Sequence, residues 1–549
     1  MRNQGDRLLA EAARLDRARV VLVVLGMSLA AGAGLLLPNA LAAAVDSAIS
    51  GRLSWPKVLW LLAIGVTEIV ANVAAGVLTT KVTSLATAWL RRKLADHMLA
   101  LGTRLSFAPG DALSRLTGDC FNAGSIASVL VGLGSAAVTS IGAIALLAAL
   151  DWRLAVVFLA SVPVALLIAR SHIRHTADDV LAYQQVSGEL SARLLDAVRG
   201  LRTIAVSGTA EREAERVLRP LPRLGAAGTG MWRTQARMVW RAALLLPAVE
   251  LAVLLAAGFA VLAGRMTVGQ VLAALGYVAL GMALVGQIPQ LTTLARIRSC
   301  GTRIAEVLDT PVPGPGARGV SPGPGTVELR EVTVPGALTD IGLTVPGGAF
   351  LAVVGRSGSG KSTLVNVLGG LRAPEHGQVL LDGVPLAELR PEELRTAVSY
   401  AFERPALMGA TVADAVGYGT WANEEAVRGA CQAAQVHDLV VRLPEGYRTP
   451  LRETPLSGGE AQRLGLARAF VRSPKVLILD DATASLDTVT ESMVDSAIAG
   501  AGCTRIAVTH RAVTASRADL VAWLENGRLR ALAPHAKLWT DPGYRAVFG

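Results

Sequence analysis

Apolar positions are segregated along this chain. Long runs with few charges occupy about 20–44, 57–80, 125–150, 154–169, 242–263 and 267–288, and almost none follow. Each approaches or exceeds the roughly 20 helical residues that cross a bilayer's hydrocarbon core. Together they predict an all-α bundle of six membrane-spanning helices. The first run, with a basic start and Ala42-Ala43-Ala44 at its end, has some features of a signal peptide. Its apolar stretch is too long for one and five further runs follow, so an uncleaved first helix is expected. Residues 6–17 alternate Leu and Ala with Arg, Asp and Glu, which predicts a short amphipathic helix on the membrane surface.

The pattern changes after the sixth run. Thr310-Pro311-Val312-Pro313-Gly314-Pro315-Gly316 through Pro322-Gly323-Pro324-Gly325 can neither continue a helix nor build a core, and reads as a linker. Beyond it, short β-rich runs alternate with helical stretches, the mark of an α/β domain. The expected organisation is an N-terminal amphipathic segment (1–19), a transmembrane domain (20–305), a linker (306–325) and an α/β domain (326–549). The intervening segments 81–124 and 170–241 read as helical, so the spans are expected to continue well beyond the membrane before turning back.

Composition agrees with this division. Hydrophobic residues make up 52% of the 549 and charged residues 17%, where a soluble domain carries about a quarter charged. Disorder and a purely soluble enzyme both fit badly. The net charge of +10 would suit nucleic acid or anionic lipid, but its placement explains it differently. Basic residues number five up to residue 19, six in 81–124 and twelve in 170–241, against two, one and one in 45–57, 151–153 and 264–266. That bias puts both termini and the long loops on the cytoplasmic side of a multi-pass cell-membrane protein. No nucleic-acid partner is needed. Cys120, Cys300, Cys431 and Cys503 show no paired or metal-binding spacing and read as reduced, packed thiols.

The chemistry lies in the α/β half. Gly355-Arg356-Ser357-Gly358-Ser359-Gly360-Lys361-Ser362-Thr363 fits G-x-x-x-x-G-K-[ST], after the strand-like Phe350-Leu351-Ala352-Val353-Val354 and before a helical run. This is a phosphate loop: backbone N–H groups and a helix N-terminus receive phosphate oxygens, Lys361 reaches the β- and γ-phosphates, and Ser362 ligates Mg²⁺. Val476-Leu477-Ile478-Leu479-Asp480-Asp481 is an apolar strand ending in carboxylates, with Asp480 suited to hold the same Mg²⁺. ATP and Mg²⁺ are the expected cofactors. The chain is thus read as multi-domain, an all-α six-helix transmembrane domain followed by an α/β P-loop ATPase domain.

Leu456-Ser457-Gly458-Gly459-Glu460-Ala461-Gln462-Arg463 resembles the signature of ATP-binding cassette (ABC) proteins. His510 is similar to their switch histidine and Ser485-Leu486-Asp487 to their D-loop. Pro109-Gly110-Asp111-Ala112-Leu113-Ser114-Arg115-Leu116-Thr117 and Gly200-Leu201-Arg202-Thr203-Ile204 resemble the two intracellular-loop motifs of exporter-type half-transporters. The resemblance covers nearly the whole chain. It implies pairing with a second half-transporter, each ATP lying between one subunit's phosphate loop and the other's signature, here Ser457, Gly458, Gly459 and Glu460.

Three positions depart from that family's pattern. Asp481 stands where a catalytic Glu is usual, which withdraws the carboxylate by about one bond length from the attacking water. Ser399-Tyr400-Ala401-Phe402-Glu403-Arg404-Pro405 aligns with the Q-loop but has Glu403 in place of Gln, still able to ligate Mg²⁺. Residues 327–348 lack the aromatic residue that stacks on adenine; Phe350 is the nearest candidate, in a position that favours the core. The cluster resembles the degenerate half of a heterodimer, and a homodimer with Asp481 as a weaker base is the alternative.

The leading expectation is an ATP-driven exporter subunit for a peptide, drug-like or lipid-like product. A siderophore-type importer of the same architecture and a regulatory ATP-sensing subunit are the alternatives. Only about 19 residues precede the first run, so no leader-cleaving protease domain is expected there. Glu68 and Glu250 fall within the second and fifth runs, where carboxylates are costly. Each is a candidate for contact with a cationic or amphipathic substrate, or for helix–helix hydrogen bonding.

Overall fold

The computed structural model describes residues 2–51, 54–105, 107–312, 314, 316–500 and 502–549; side chains at 2–3, 166, 168–169, 171–181, 238–239, 242–243, 288 and 488 are outside the description. Two compact units divide between Pro311 and Val312.

The first unit is helical. Its long helices are Arg17–Ile49, Trp55–Leu101, Ile126–Leu150, Val162–Arg199, Leu221–Leu262 and Ile288–Leu308. At 1.5 Å per residue, the 47 residues of Trp55–Leu101 extend about 70 Å, more than twice a hydrocarbon core. Packing in the first of these helices is inverted relative to a water-soluble bundle. Ala30, Ala31, Ala33, Gly34, Ala40 and Ala42 are buried, while Val21, Leu22, Leu25, Leu29 and Leu36 face outward. Small residues let helix backbones approach, and large aliphatic ones suit lipid. Where Pro38 interrupts the hydrogen-bond ladder, the Val268–Gly281 helix passes so close that a Cβ on Gly276 would lie 2.9 Å from the proline ring.

The spans are less uniform than the hydropathy predicts. Among the described residues five helices are long and apolar enough to cross a membrane, and a shorter apolar stretch, Trp152–Ala165, stands at the fourth run. That run breaks after Leu159 and resumes at Val162. Pro163 is the cause: it has no N–H for the Leu159 carbonyl, and its ring crowds that carbonyl. The sixth run is segmented as well, into Val268–Gly281, Ala283–Gly286 and Ile288–Leu308.

The N-terminal helix Arg2–Arg14 also differs from expectation. Its apolar face is taken up by protein: Leu8, Leu9 and Ala12 are buried in a cluster with Ile297, Cys300 and Ile304. Gly301 permits the approach, since a Cβ there would meet Leu9 at 2.9 Å. Asp6–Arg298 and Glu11–Lys93 ion pairs flank the contact. Nearby, Arg115 is almost wholly buried between Asp111 at 2.9 Å and Glu306 at 2.8 Å, and Arg303 pairs with Asp111 at 2.6 Å. Arg115 opens a wide π-turn, Arg115–Asp119, after the short helix Pro109–Ser114.

The second unit holds strands β1 (Val327–Val334), β2 (Leu338–Val345), β3 (Phe350–Val354), β4 (His376–Leu381), β5 (Val384–Pro385), β6 (Val398–Phe402), β7 (Val476–Asp480), β8 (Thr504–Val508), β9 (Leu520–Glu525) and β10 (Arg528–Ala533). One sheet runs β2-β1-β4-β5, all antiparallel, and the other β10-β9-β3-β8-β7-β6, parallel from β9 to β6. β3 is buried along its whole length and β7 nearly so, as their unbroken apolar sequences require. The helix Ile288–Leu308 enters the segment expected as linker, and the end of that segment is stitched to the second unit. Arg318 bridges to Leu389, and Gly325 and Thr326 donate N–H bonds to Asp382.

Leu9→Ala is expected to cost about 2–5 kcal/mol locally. Hydrogen exchange over residues 4–14 should accelerate while the Lys361–Leu368 helix keeps its protection; unaltered exchange in 4–14 would show the contact to be incidental.

Candidate functional site

The parallel sheet assembles the site by register. Val353 pairs with Val508, Val508 with Asp480 and Asp480 with Phe402, so β3, β8, β7 and β6 end along one edge. Their next residues are the phosphate loop, Thr509-His510, Asp481 and Glu403. Ligands of open α/β sheets sit at this carboxyl edge.

After β3 the loop turns into the helix Lys361–Leu368. Gly360 has φ +100°, and a Cβ on it would lie 2.7 Å from the Ala337 carbonyl, so the turn at 335–337 leans directly on the loop. That turn carries no aromatic side chain. Phe350 is 8% exposed, packs in the core and lies beneath the Arg505 guanidinium at 4.9 Å, so it is not available to adenine.

Lys361 is buried and donates to the Gly355 and Arg356 carbonyls at 2.8 and 3.0 Å. Burial holds its ammonium below the usual lysine range, opposed by Asp481 and Asp480. The carboxyls move the other way. Asp480 is held above the usual range by burial, then by the charges of Asp481 and Glu403, with Lys361 and a hydrogen bond from Ser362 opposing. Asp481 is raised by burial, with His510 and Lys361 pulling it down and Glu403 pushing it up. His510 Nε2 stands 3.8 Å from Asp481 Oδ2. The structure thus brings Lys361, Ser362, Glu403, Asp480, Asp481 and His510 into one electrostatic neighbourhood. Asp481 has φ +50°, a left-handed conformation that Asp tolerates better than most residues.

A Mg²⁺ ion fits this donor set. The ion prefers oxygen and keeps several waters, taking one or two protein ligands beside substrate phosphates. The Ser362 hydroxyl already touches Asp480, whose charge is under-compensated. No cluster of three or more His, Cys, Asp or Glu able to cage a metal by itself occurs among the described residues.

Ser457 caps the helix Gly458–Phe470 through a reciprocal pair: it accepts from the Glu460 N–H at 3.4 Å, and its own N–H donates to the Glu460 carboxylate at 2.7 Å. Those bonds hold Glu460 below the usual carboxylate range. Glu460 is therefore occupied as a capping residue, while Ser457 and Gly458 are exposed. Among the described residues no hydrogen bond or ion pair joins Ser457–Glu460 to the phosphate loop, though both belong to one unit.

Glu68 is half-buried against the first long helix, where a Cβ on Gly34 would meet its Oε1 at 3.2 Å. Glu250 is half-buried on Leu221–Leu262.

Sequence reading named Gln462 only as part of the signature-like run, without a role, and missed Arg511 and Glu491. Gln462 bonds both Glu403 and Ser485, Arg511 donates to the carbonyls of Ala484 and Leu486, and Glu491 is buried and pairs with Arg511. The signals present were a polar residue inside an otherwise apolar helix face and an Arg directly after His510.

Residues 338–484 match the family model described as ABC transporter, and residues 20–284 match the one described as ABC transporter transmembrane region. The chain is 40% identical to the ABC transporter ATP-binding protein RamA of Streptomyces coelicolor, over 97% of this chain and 85% of that protein. The chain belongs to the ABC transporter family. This ABC transporter is of the exporter-type half-transporter kind, a multi-pass membrane protein whose ATPase domain couples hydrolysis to transport. It is also 30% identical to an ATP-dependent lipid A-core flippase of Bordetella avium, over 96% of this chain and 93% of the flippase. Its fold matches a bacterial Atm1-family ABC exporter with ATP bound, with TM-score 0.81 at 23% identity over 97% of this chain and 98% of that one.

A carboxyl whose folded pKa exceeds its unfolded value gives stability that is complete below the unfolded value and lost as pH rises through the folded one. Nucleotide-free transporter should therefore lose stability as pH climbs through the range just above ordinary carboxylates. Asp480→Asn should raise its melting temperature at pH 7 and flatten that slope. A lowered melting temperature in Asp480→Asn would contradict this electrostatic picture.

Proposed function

We propose that this chain is the slow-hydrolysing half of a heterodimeric ATP-driven exporter. The observation that carries the reading is Asp481, whose short side chain extends from a left-handed backbone at the carboxyl edge and stands 3.8 Å from His510. In this reading residues 355–363 grip the triphosphate, with Lys361 on the β- and γ-phosphates. Ser362 and Asp480, with Glu403, hold Mg²⁺; Asp481 orients the attacking water and His510 steadies the γ-phosphate. Ser457 and Gly459, with the helix start behind them, complete a competent site on a different partner. Misplacing a base by an ångström costs about a hundredfold in rate, which leaves ATP bound here while the partner's site turns over.

Closure of the paired nucleotide domains would switch the spans from inward- to outward-facing. The cargo we favour is amphipathic, of lipid-like or peptide type; the name of the lipid A-core flippase relative supports the lipid-like end of that range. Both termini lie in the cytoplasm on this view, consistent with the Arg-rich segments 81–124 and 170–241.

The purified chain alone, in nanodiscs, should bind ATP and hydrolyse it slowly, and Asp481→Glu should raise turnover by about tenfold or more. Lys361→Ala should abolish binding. Brisk hydrolysis by the unaltered chain, lost in Lys361→Ala, would instead establish a working homodimer.

A further inference from the structure

The helix Gly458–Phe470 carries more than the residues at its start. Positions 462, 465 and 468 share one face and run along the segment that follows β6. Gln462 Nε2 donates to the Glu403 carbonyl at 2.8 Å, and Arg468 donates to the Ala406 carbonyl at 2.7 Å. Between them Gly465 lies so close to Pro405 that a Cβ would sit 2.8 Å from the proline ring. The other end of the Gln462 amide accepts from the Ser485 N–H at 3.1 Å. Gln462 is 2% exposed, so its amide is withdrawn from water while its partners, on exposed residues, stand at the edge of the domain. Ser485 in turn presents its carbonyl to Gly459, where a Cβ would meet it at 3.3 Å. From the opposite side, Arg511 fastens the Ala484 and Leu486 carbonyls and pairs with the buried Glu491.

We infer that Gln462 is a positioning residue for ATP hydrolysis: its single amide locks Glu403, the helix start bearing Ser457 and Gly459, and the segment 483–487 into one rigid piece. The inference rests on the reading that Ser457 and Gly459 meet the partner's nucleotide. It adds that a change beside this chain's own phosphate site is transmitted to the other site through this one side chain. The position requires a donor and an acceptor at the same tip. Glu keeps the acceptor but sets a carboxylate against the Glu403 carbonyl, and Met has neither function at similar volume. Losing both of these hydrogen bonds loosens the piece without unfolding the domain.

The test compares wild type, Gln462→Glu and Gln462→Met in the full-length transporter in nanodiscs, alone and with its partner subunit. It reads kcat and KM for ATP, trinitrophenyl-ATP affinity and melting temperature. Both variants should lose kcat at least tenfold, with KM and nucleotide affinity within twofold of wild type. Retained kcat in Gln462→Met, or nucleotide affinity falling in step with kcat, would overturn the inference and leave Gln462 a packing residue. Where Gln462→Met does not fold, Gln462→Glu decides alone: kcat within twofold of wild type overturns it. Brisk turnover by the wild-type chain alone defeats the slow-site reading but not this one, since the comparison is then made on the homodimer.

Discussion

One buried ammonium beside two half-buried carboxylates sets the terms for everything else in the nucleotide unit. Lys361 is wrapped by the carbonyls of its own loop, while Asp480, Asp481 and Glu403 converge from neighbouring strand ends. The register of β3, β8, β7 and β6 makes this convergence unavoidable. Uncompensated negative charge in a partly buried edge is unfavourable, and it is relieved by cations. On the proposed reading, a triphosphate carrying Mg²⁺ would place its cation beside the carboxylates and its phosphates beside Lys361 and the loop N–H groups. On that reading the cluster by itself is electrostatically incomplete, and a ligand that completes it in one conformation more than in another would supply free energy for conformational work.

The membrane unit solves a different problem with opposite packing. In its first long helix alanine and glycine fill the contacts and leucine and valine face outward, so that helix's position follows from close approach more than from burial of large apolar side chains. Where the helices extend past the hydrocarbon, charge takes over as the adhesive. Arg115 between Asp111 and Glu306, with Arg303 alongside, ties the Pro109–Ser114 helix to Ile288–Leu308. Arg115 is buried while its carboxylate partners are part-exposed, so removing one of them leaves a buried charge short of a partner. Such a cluster holds one arrangement firmly or exchanges it wholesale, a property suited to helices that must transmit motion without bending.

How much of this was legible in the sequence depended on distance along the chain. The phosphate loop, the apolar strand ending at Asp480 and the capped helix after Ser457 are local patterns, and their backbone requirements are written in consecutive residues. The spans were legible from hydropathy, but the break after Leu159 required weighing one proline, Pro163, against a long apolar run. The N-terminal helix was read as amphipathic and placed on the membrane surface, whereas the structure packs Leu8, Leu9 and Ala12 against protein. Its periodicity reveals an apolar face but not the partner that covers it, here a helix almost 300 residues away. The bonding role of Gln462 and the places of Arg511 and Glu491 stayed hidden for the same reason: each is an ordinary polar residue until tertiary folding supplies the groups it bonds.

On the proposed reading, the departures from the family pattern separate two functions that a symmetric transporter performs together. A hundredfold loss of rate from a displaced base amounts to about 2.7 kcal/mol in the barrier, and that loss falls on the chemical step alone. The groups that grip phosphate, Lys361, Ser362 and the loop N–H donors, are all in place, so the binding energy that closes the dimer is retained. Ser457 and Gly459 are likewise intact and contribute to a site whose chemistry belongs to another subunit. A chain of this kind keeps the closing stroke and delegates the reopening one. The consequence is kinetic asymmetry: one interface holds nucleotide through several turnovers of the other, and the rigid piece centred on Gln462 is the connection by which each site senses the other's state.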